Sequence, residues 1–167
     1  FYVAQMARKR VTVVLNGDGG DENFCGYLRY LALKMWQALL AIPLPVRKLM
    51  AMPHRLFHVP GQPKHLGTRL HRFLQCLPVS TVEESYLRYM IQFMKEDRGL
   101  LFQDQFYRQT AGETPENFVL GLYRSADGKD ILDRFQSMEI ESYLPCDLLT
   151  KMDRATMAYG LEARSPL

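Results

Sequence analysis

The chain has 167 residues, of which 47% are hydrophobic and 23% charged, and its formal net charge is +3. That balance supports one buried core and excludes a disordered or fibrous chain. Lysine and arginine form no long run, which argues against a nucleic-acid or lipid partner, and no stretch of eighteen apolar residues reads as a membrane span.

Residues 2–10 read as a helix with a basic C-terminal end that leads directly into a strand over residues 11–15, where Val, Thr and Leu suit a buried pleated backbone. A lone strand cannot pair with itself. Its partner is expected outside this chain or in a second copy, so the outcomes foreseen are a homodimer along this edge or a strand buried under helices. A helix is expected over residues 24–40. Five prolines between Pro43 and Gly67 then suggest an irregular basic connector.

Ser80-Thr81-Val82-Glu83 reads as a capping box opening a helix to about Met94, with Tyr86, Leu87, Met90, Ile91 and Met94 on one stripe that belongs to a core. Further helices are expected over residues 100–109, 115–124 with Thr114 as cap, and 129–143 with Ile131, Leu132, Phe135 and Met138 packing inward. The fold expected is mainly α with one short parallel-type strand, forming a single partial domain over residues 1–167.

The chemistry concentrates where the strand ends, in Asn16-Gly17-Asp18-Gly19-Gly20-Asp21-Glu22. Gly17, Gly19 and Gly20 permit sharp backbone turns and close approach of another molecule, and ligands of α/β sheets bind beyond the carboxyl ends of strands. A dinucleotide fingerprint fails because Glu22 occupies the third glycine position. An EF-hand starting at Asp18 fails because Gly20 and Asn23 stand where Asp or Asn and then Gly are needed, and no G-K-[ST] follows for a Walker loop. What remains is an acidic loop at a helix N-terminus, where Asp21 and Glu22 are stabilising whatever the function.

Asn16-Gly17-Asp18-Gly19-Gly20-Asp21-Glu22-Asn23-Phe24-Cys25-Gly26-Tyr27 resembles the SG(D/E)GGDELFGGY signature of the synthetase domain of glutamine-dependent asparagine synthetases. The segment from Leu144 to Leu167, LPCDLLTKMDRATMAYGLEARSPL, resembles the same family's LPDDLLTKVDRASMAxSLEARVPLLD block. The resemblance is dense over residues 1–30 and 143–167 and loose between them. It implies an adenine nucleotide alpha hydrolase-like α/β domain that uses ATP and Mg2+ to adenylylate the side-chain carboxylate of aspartate, which ammonia released from glutamine by a separate glutaminase domain then attacks.

Carried over residue by residue, the resemblance implies that Asp21 holds magnesium pyrophosphate and that Asp18 is the general base. Asn16, standing where most members have Ser, and Gly17 would meet the adenylate. Cys25 replaces a common Gly and Asn23 a common Leu. The second block reads as a helix with Asp147 as N-cap. Its polar face, Lys151, Asp153 and Arg154, reads equally as a nucleotide contact, with Lys151 the cofactor-binding candidate, or as helix-face ion pairs. Glu162 with Arg164 reads first as a structural pairing.

The chain begins Phe1-Tyr2-Val3 rather than with the nucleophilic cysteine of the family's glutaminases, and it contains no Ser-Gly-Gly for the family's SGGxDS pyrophosphate loop. An internal fragment of a larger synthetase, inactive alone, is therefore the expectation. Cys25, Cys76 and Cys146 form an odd set without C-x-x-C spacing, which points to a reducing cytoplasm. His54, His58, His65 and His71 invite a metal reading, but Pro53, Pro60 and Pro63 interrupt any helix there and no Cys or carboxylate completes a ligand set. Two other readings stand beside the first: a related ATP-dependent amidotransferase acting on another carboxylate, and a non-catalytic helical interaction module whose acidic loop merely caps a helix.

Overall fold

Val13 and Val14 favour extended backbone, and in the computed structural model the strand they open (β1, Val13–Leu15) finds its partner inside the chain. It pairs in parallel with β2 (Glu162–Arg164), in the register Val13 with Glu162, Val14 with Ala163 and Leu15 with Arg164. This overturns the expectation of a single strand whose partner lies elsewhere, and it removes the reason for a homodimer along that edge. Nor is the strand buried under helices, since Val13 and Leu15 are exposed.

The structure describes residues 1–57, 60–61, 65–91, 93, 95–110, 112 and 114–166. In chain order the helices are α1 (Tyr2–Arg8), α2 (Gly20–Asn23), α3 (Leu28–Leu39), α4 (Leu44–Ala51), α5 (Leu66–Leu74), α6 (Val82–Met90), α7 (Lys95–Leu101), α8 (Asp104–Thr110), α9 (Pro115–Ser125), α10 (Ile131–Glu141) and α11 (Thr150–Met157). A 3-10 segment, Met52–Phe57, follows α4, and a π-helical segment, Leu144–Leu149, leads into α11. None of the described helices is long and apolar enough to cross a membrane.

The chain forms two compact units: Phe1–Tyr27 with Phe118–Leu167, and Leu28–Asn117. In the first, α10 packs on α2 and on the π-helical segment, and α11 packs on β2 and on α1. Phe135 and Met138 of α10 are almost wholly buried, as their helical spacing predicts, and the Phe135 ring lies 4.6 Å from that of Tyr123. Asp130 caps α10 in a reciprocal box with Asp133.

In the second unit α3 packs on α6. Trp36 of α3 is the centre of an aromatic cluster, stacked on Phe73 and edge-on to Tyr89, each with centroids 5.5 Å away, and its indole N–H donates to the Phe73 carbonyl. Buried Arg47 is satisfied by the carbonyls of Ile42, Leu77 and Val79, so burying its charge leaves no orphaned donor there.

Several expected elements change. The helix foreseen over residues 24–40 breaks at residues 24–27, because Cys25 takes φ +54, a left-handed value that no helix interior tolerates. The connector foreseen over residues 43–67 is largely helical: Pro43 is the N-cap of α4 and Pro45 lies in its first turn, where a missing N–H breaks nothing. The N-cap of α6 is Thr81, one residue later than expected, and the reciprocal capping box does not form. Thr81 accepts from the Glu84 N–H, and Glu84 rather than Glu83 reaches back to the Ser80 N–H. The helix foreseen over residues 100–109 is two, α7 and α8, separated at residues 102–103. Thr114 does cap α9, accepting from the Asn117 N–H.

Asp147 is not an N-cap. The Leu144-Pro145 pair stays inside a continuous helical path whose wider π turn accommodates the proline, with the Thr150 hydroxyl donating to the Pro145 carbonyl at 2.8 Å. Of the histidines, His54 and His71 stack with centroids 5.0 Å apart, and each holds a backbone carbonyl within hydrogen-bond reach of Nδ1. His65 caps α5 through the Gly67 N–H. His58, Pro63 and Met94 lie outside the described residues.

Candidate functional site

Because Leu15 lies opposite Arg164, the next residue of each strand, Asn16 and Ser165, emerges beside the other at the carboxyl end of the sheet. The Asn16 N–H extends the ladder by donating to the Arg164 carbonyl at 3.0 Å. The side chains then form a chain of bonds. Ser165 Oγ lies 2.6 Å from Asn16 Oδ1 and 2.9 Å from the Asp18 carbonyl oxygen, and Asn16 Nδ2 donates to Asp18 Oδ2 at 3.0 Å. Three of the four polar groups come from the acidic loop and one from the far end of the chain.

The loop then turns into α2. Gly19 supplies the turn at φ +92 and is the only one of the three loop glycines that uses a left-handed value. Asn23 Nδ2 donates to the Gly19 carbonyl at 2.7 Å, and a Cβ at Gly17 would meet nothing within 4 Å, so the backbone at residue 17 faces open space. Asp21 and Glu22 stand in the first turn of α2, where negative charge is favoured, but their fates differ. Glu22 is buried and accepts from the Tyr27 hydroxyl at 2.5 Å, a structural role, whereas Asp21 is exposed. Asp21 lies against Gly26: a Cβ at residue 26 would stand 2.0 Å from Asp21 Oδ1, and the Gly26 N–H donates to the Asp21 carbonyl.

Behind the strand ends lies a cavity of about 270 Å³, lined by Asn16, Met152, Asp153, Thr156, Leu161 and Ser165 among others. Thus the structure brings Asn16 and Asp153 to one cavity. Lys151 is exposed on the same helix and is not among the lining residues. Glu162 and Arg164 do pair, at 2.7 Å, but both are exposed, so the pair contributes only about 0.2–1 kcal/mol. At Cys25 burial raises the thiol pKa, and the Glu139 and Asp133 carboxylates add to the rise.

Ser165 is the residue that sequence reading missed. It lies within the second block, at a position that departs from the motif, but only the register of two strands separated by most of the chain sets it beside Asn16. Among the described residues, no three His, Cys, Asp or Glu side chains come together as a metal-binding group. The donors present, an exposed carboxylate at Asp21 and a half-buried one at Asp18, fit a hard cation that arrives already bound to phosphate oxygens, for which one or two carboxylates suffice.

Comparison with known proteins finds likeness over the whole length of the chain. The sequence model of the family described as "Asparagine synthase" matches residues 1–167. A "Putative asparagine synthetase [glutamine-hydrolyzing]" of Mycobacterium bovis is 31% identical over 166 residues, covering 99% of this chain and 24% of that protein. "Asparagine synthetase [glutamine-hydrolyzing] 1" of Bacillus subtilis is 29% identical over 177 residues, again with 99% of this chain and 24% of the relative. A shorter stretch of 31 residues is 64% identical to "Putative asparagine synthetase [glutamine-hydrolyzing] 2" of Methanocaldococcus jannaschii. The chain therefore spans about a quarter of the length of these relatives. No solved structure matches.

Proposed function

Given that the chain belongs to the asparagine synthase family, we propose that it is part of a glutamine-dependent asparagine synthetase acting in the cytoplasm, and that its two-stranded parallel sheet belongs to an adenine nucleotide alpha hydrolase-like domain. The reaction is the ATP-dependent amidation of aspartate: the side-chain carboxylate attacks the α-phosphorus of ATP, pyrophosphate leaves, and ammonia from a glutaminase domain displaces AMP. The observation that supports this reading most is the convergence, at the carboxyl ends of two parallel strands, of the Asn16–Ser165 pair on one cavity and its hydrogen bonds to Asp18 of the acidic loop.

Each residue then has a task. Gly17, whose backbone faces open space, and the Asn16 amide accept the adenylate, and Lys151 adds a positive charge toward the nucleotide. Asp21, exposed at the start of α2, would hold the Mg2+ that accompanies pyrophosphate, which would supply charge neutralisation for the leaving group. Asp18 takes a proton from the attacking ammonia, and the bond from Asn16 Nδ2 to Oδ2 leaves Oδ1 for that task.

A second acceptor is favoured by one specific observation. Asn16 and Cys25 both depart from the signature that the loop resembles, and Asn16 reaches the cavity, so an acceptor carboxylate other than aspartate fits the same chemistry. The test is pyrophosphate release by the intact protein with Mg-ATP, ammonia or glutamine, and a panel of carboxylates. Aspartate-dependent release, lost by about 100-fold or more in Asp18→Asn and Asp21→Asn, supports the first reading. Release with another carboxylate supports the second, and unchanged release in both variants sinks the mechanism.

A further inference from the structure

We infer that Ser165 is a positioning residue for Asp18, acting through the Asn16 side-chain amide; the inference rests on the reading of Asp18 as general base. The orientation of the amide follows from donor and acceptor chemistry. An ionised Asp18 carboxylate can only accept, so the NH2 of Asn16 faces it, as the 3.0 Å bond requires. That leaves Asn16 Oδ1 toward Ser165, 2.6 Å away, and an amide oxygen can only accept, so the serine hydroxyl must donate. The same hydroxyl lies 2.9 Å from the Asp18 carbonyl, so its single proton is shared between these two acceptors.

The alternative amide orientation would set Oδ1 against the Asp18 carboxylate and lose that bond, so Asp18 selects the orientation while Ser165, able to donate or accept, holds the amide in place. Without the serine hydroxyl, the amide loses the hydrogen bond that ties it to the β2 side. The two positions also depart together from the motifs quoted above: Asn16 stands where the loop signature has Ser, and Ser165 where the second block has Val. The two departures touch each other. A serine at residue 16 would be too short to carry the amide relay, and a valine at residue 165 could not bond to it.

The test is a double-mutant cycle on the intact protein, reading carboxylate-dependent pyrophosphate release as kcat and KM. Ser165→Ala and Ser165→Val should each lower kcat about tenfold while KM for ATP moves less than about twofold, because orientation rather than binding is lost. Ser165→Thr should restore most of the rate. In an Asn16→Ser background, Ser165→Val should change kcat by less than about twofold, since the relay it would break is already gone. Equal losses from Ser165→Val in both backgrounds, a loss in KM alone, or no rescue by threonine would each overturn the inference. Wild-type activity with Ser165→Ala at full rate overturns it while leaving the amidation reading intact; a wild-type protein that releases no pyrophosphate with any carboxylate overturns both.

Discussion

Asp21 and Gly26 occupy one space: the carboxylate Oδ1 of Asp21 sits 2.0 Å from where a Cβ on residue 26 would be, and the Asp21 Cα is only 3.2 Å from that point. The backbone contact leaves little room for relief by side-chain rotation alone. Gly26→Ala is therefore expected to destabilise the protein by about 1–3 kcal/mol and to displace the Asp21 carboxylate. In an Asp21→Ala background the carboxylate clash is gone, and the same substitution should cost clearly less. Thermal unfolding of the four proteins of this cycle checks it, and equal penalties in both backgrounds would show that Asp21 is not what Gly26 makes room for.

Cys25 carries a left-handed backbone, φ +54, that any side chain resists. Cys25→Gly is expected to stabilise the protein by about 1 kcal/mol, partly offset by the greater freedom of glycine when unfolded, whereas Cys25→Val should destabilise it by more than that. Urea unfolding midpoints decide the matter. A Cys25→Gly protein less stable than the parent would mean that the thiol makes contacts worth more than the strain.

The three thiols should separate by reactivity. Cys146 is exposed, Cys25 is half-buried with its pKa raised by burial and by the carboxylates of Glu139 and Asp133, and Cys76 is buried and pushed up to about 12, the Arg88 and Arg72 charges offsetting burial only in part. Labelling with an aromatic disulfide near pH 8 should modify Cys146 first, Cys25 slowly and Cys76 only on unfolding. Because the folded pKa of Cys76 lies above its ordinary value of 9.0, its contribution to stability is complete below pH 9 and is lost as the pH climbs toward 12.

Glu116 pairs with Arg98 at 2.5 Å, both side chains being largely covered. Burial alone would raise the Glu116 pKa, but the Arg98 hydrogen bond, its own backbone N–H, the Arg98 charge and the Thr114 hydroxyl outweigh burial and hold the carboxyl below its ordinary 4.5. A depressed folded pKa makes the stabilisation complete above pH 4.5 and removes it as the pH falls through the lower folded value. Glu116→Gln should cost about 1.5–3 kcal/mol at pH 7. The penalty should shrink below pH 4, and unfolding midpoints of both proteins across pH 3–7 would reveal a constant gap if the pair contributes nothing.

Legibility followed the range of the signals. Thr114 ahead of Pro115, the stripe of Phe135 and Met138, and the Val13-Val14 pair running into the glycine-rich loop are local patterns, and each led to an element close to where it stands. Glu162-Ala163-Arg164 has no strand propensity of its own and becomes extended only because β1 offers a ladder, so no window of sequence could have announced it. Pro43 and Pro45 misled for a related reason: the same residue that breaks a helix interior opens a helix when it falls in the first turn. At the site, the acidic loop was readable, while Ser165 depended on a register that only the folded chain reveals.

The parallel pairing of Val13 with Glu162 also sets an order in time. On a ribosome adding about 5–20 residues per second, β1 is made about 7–30 s before β2. Throughout that interval Val13, Val14 and Leu15 present unpaired backbone to whatever is near, the condition under which strand edges recruit the wrong partner. The residues between them, which include the whole of the unit Leu28–Asn117, can fold meanwhile, but Asn16 can meet Ser165 only after both strands are made. A nascent chain stalled before residue 162 would thus carry the acidic loop complete in sequence yet without its partner, and would depend on a chaperone to keep that edge solitary.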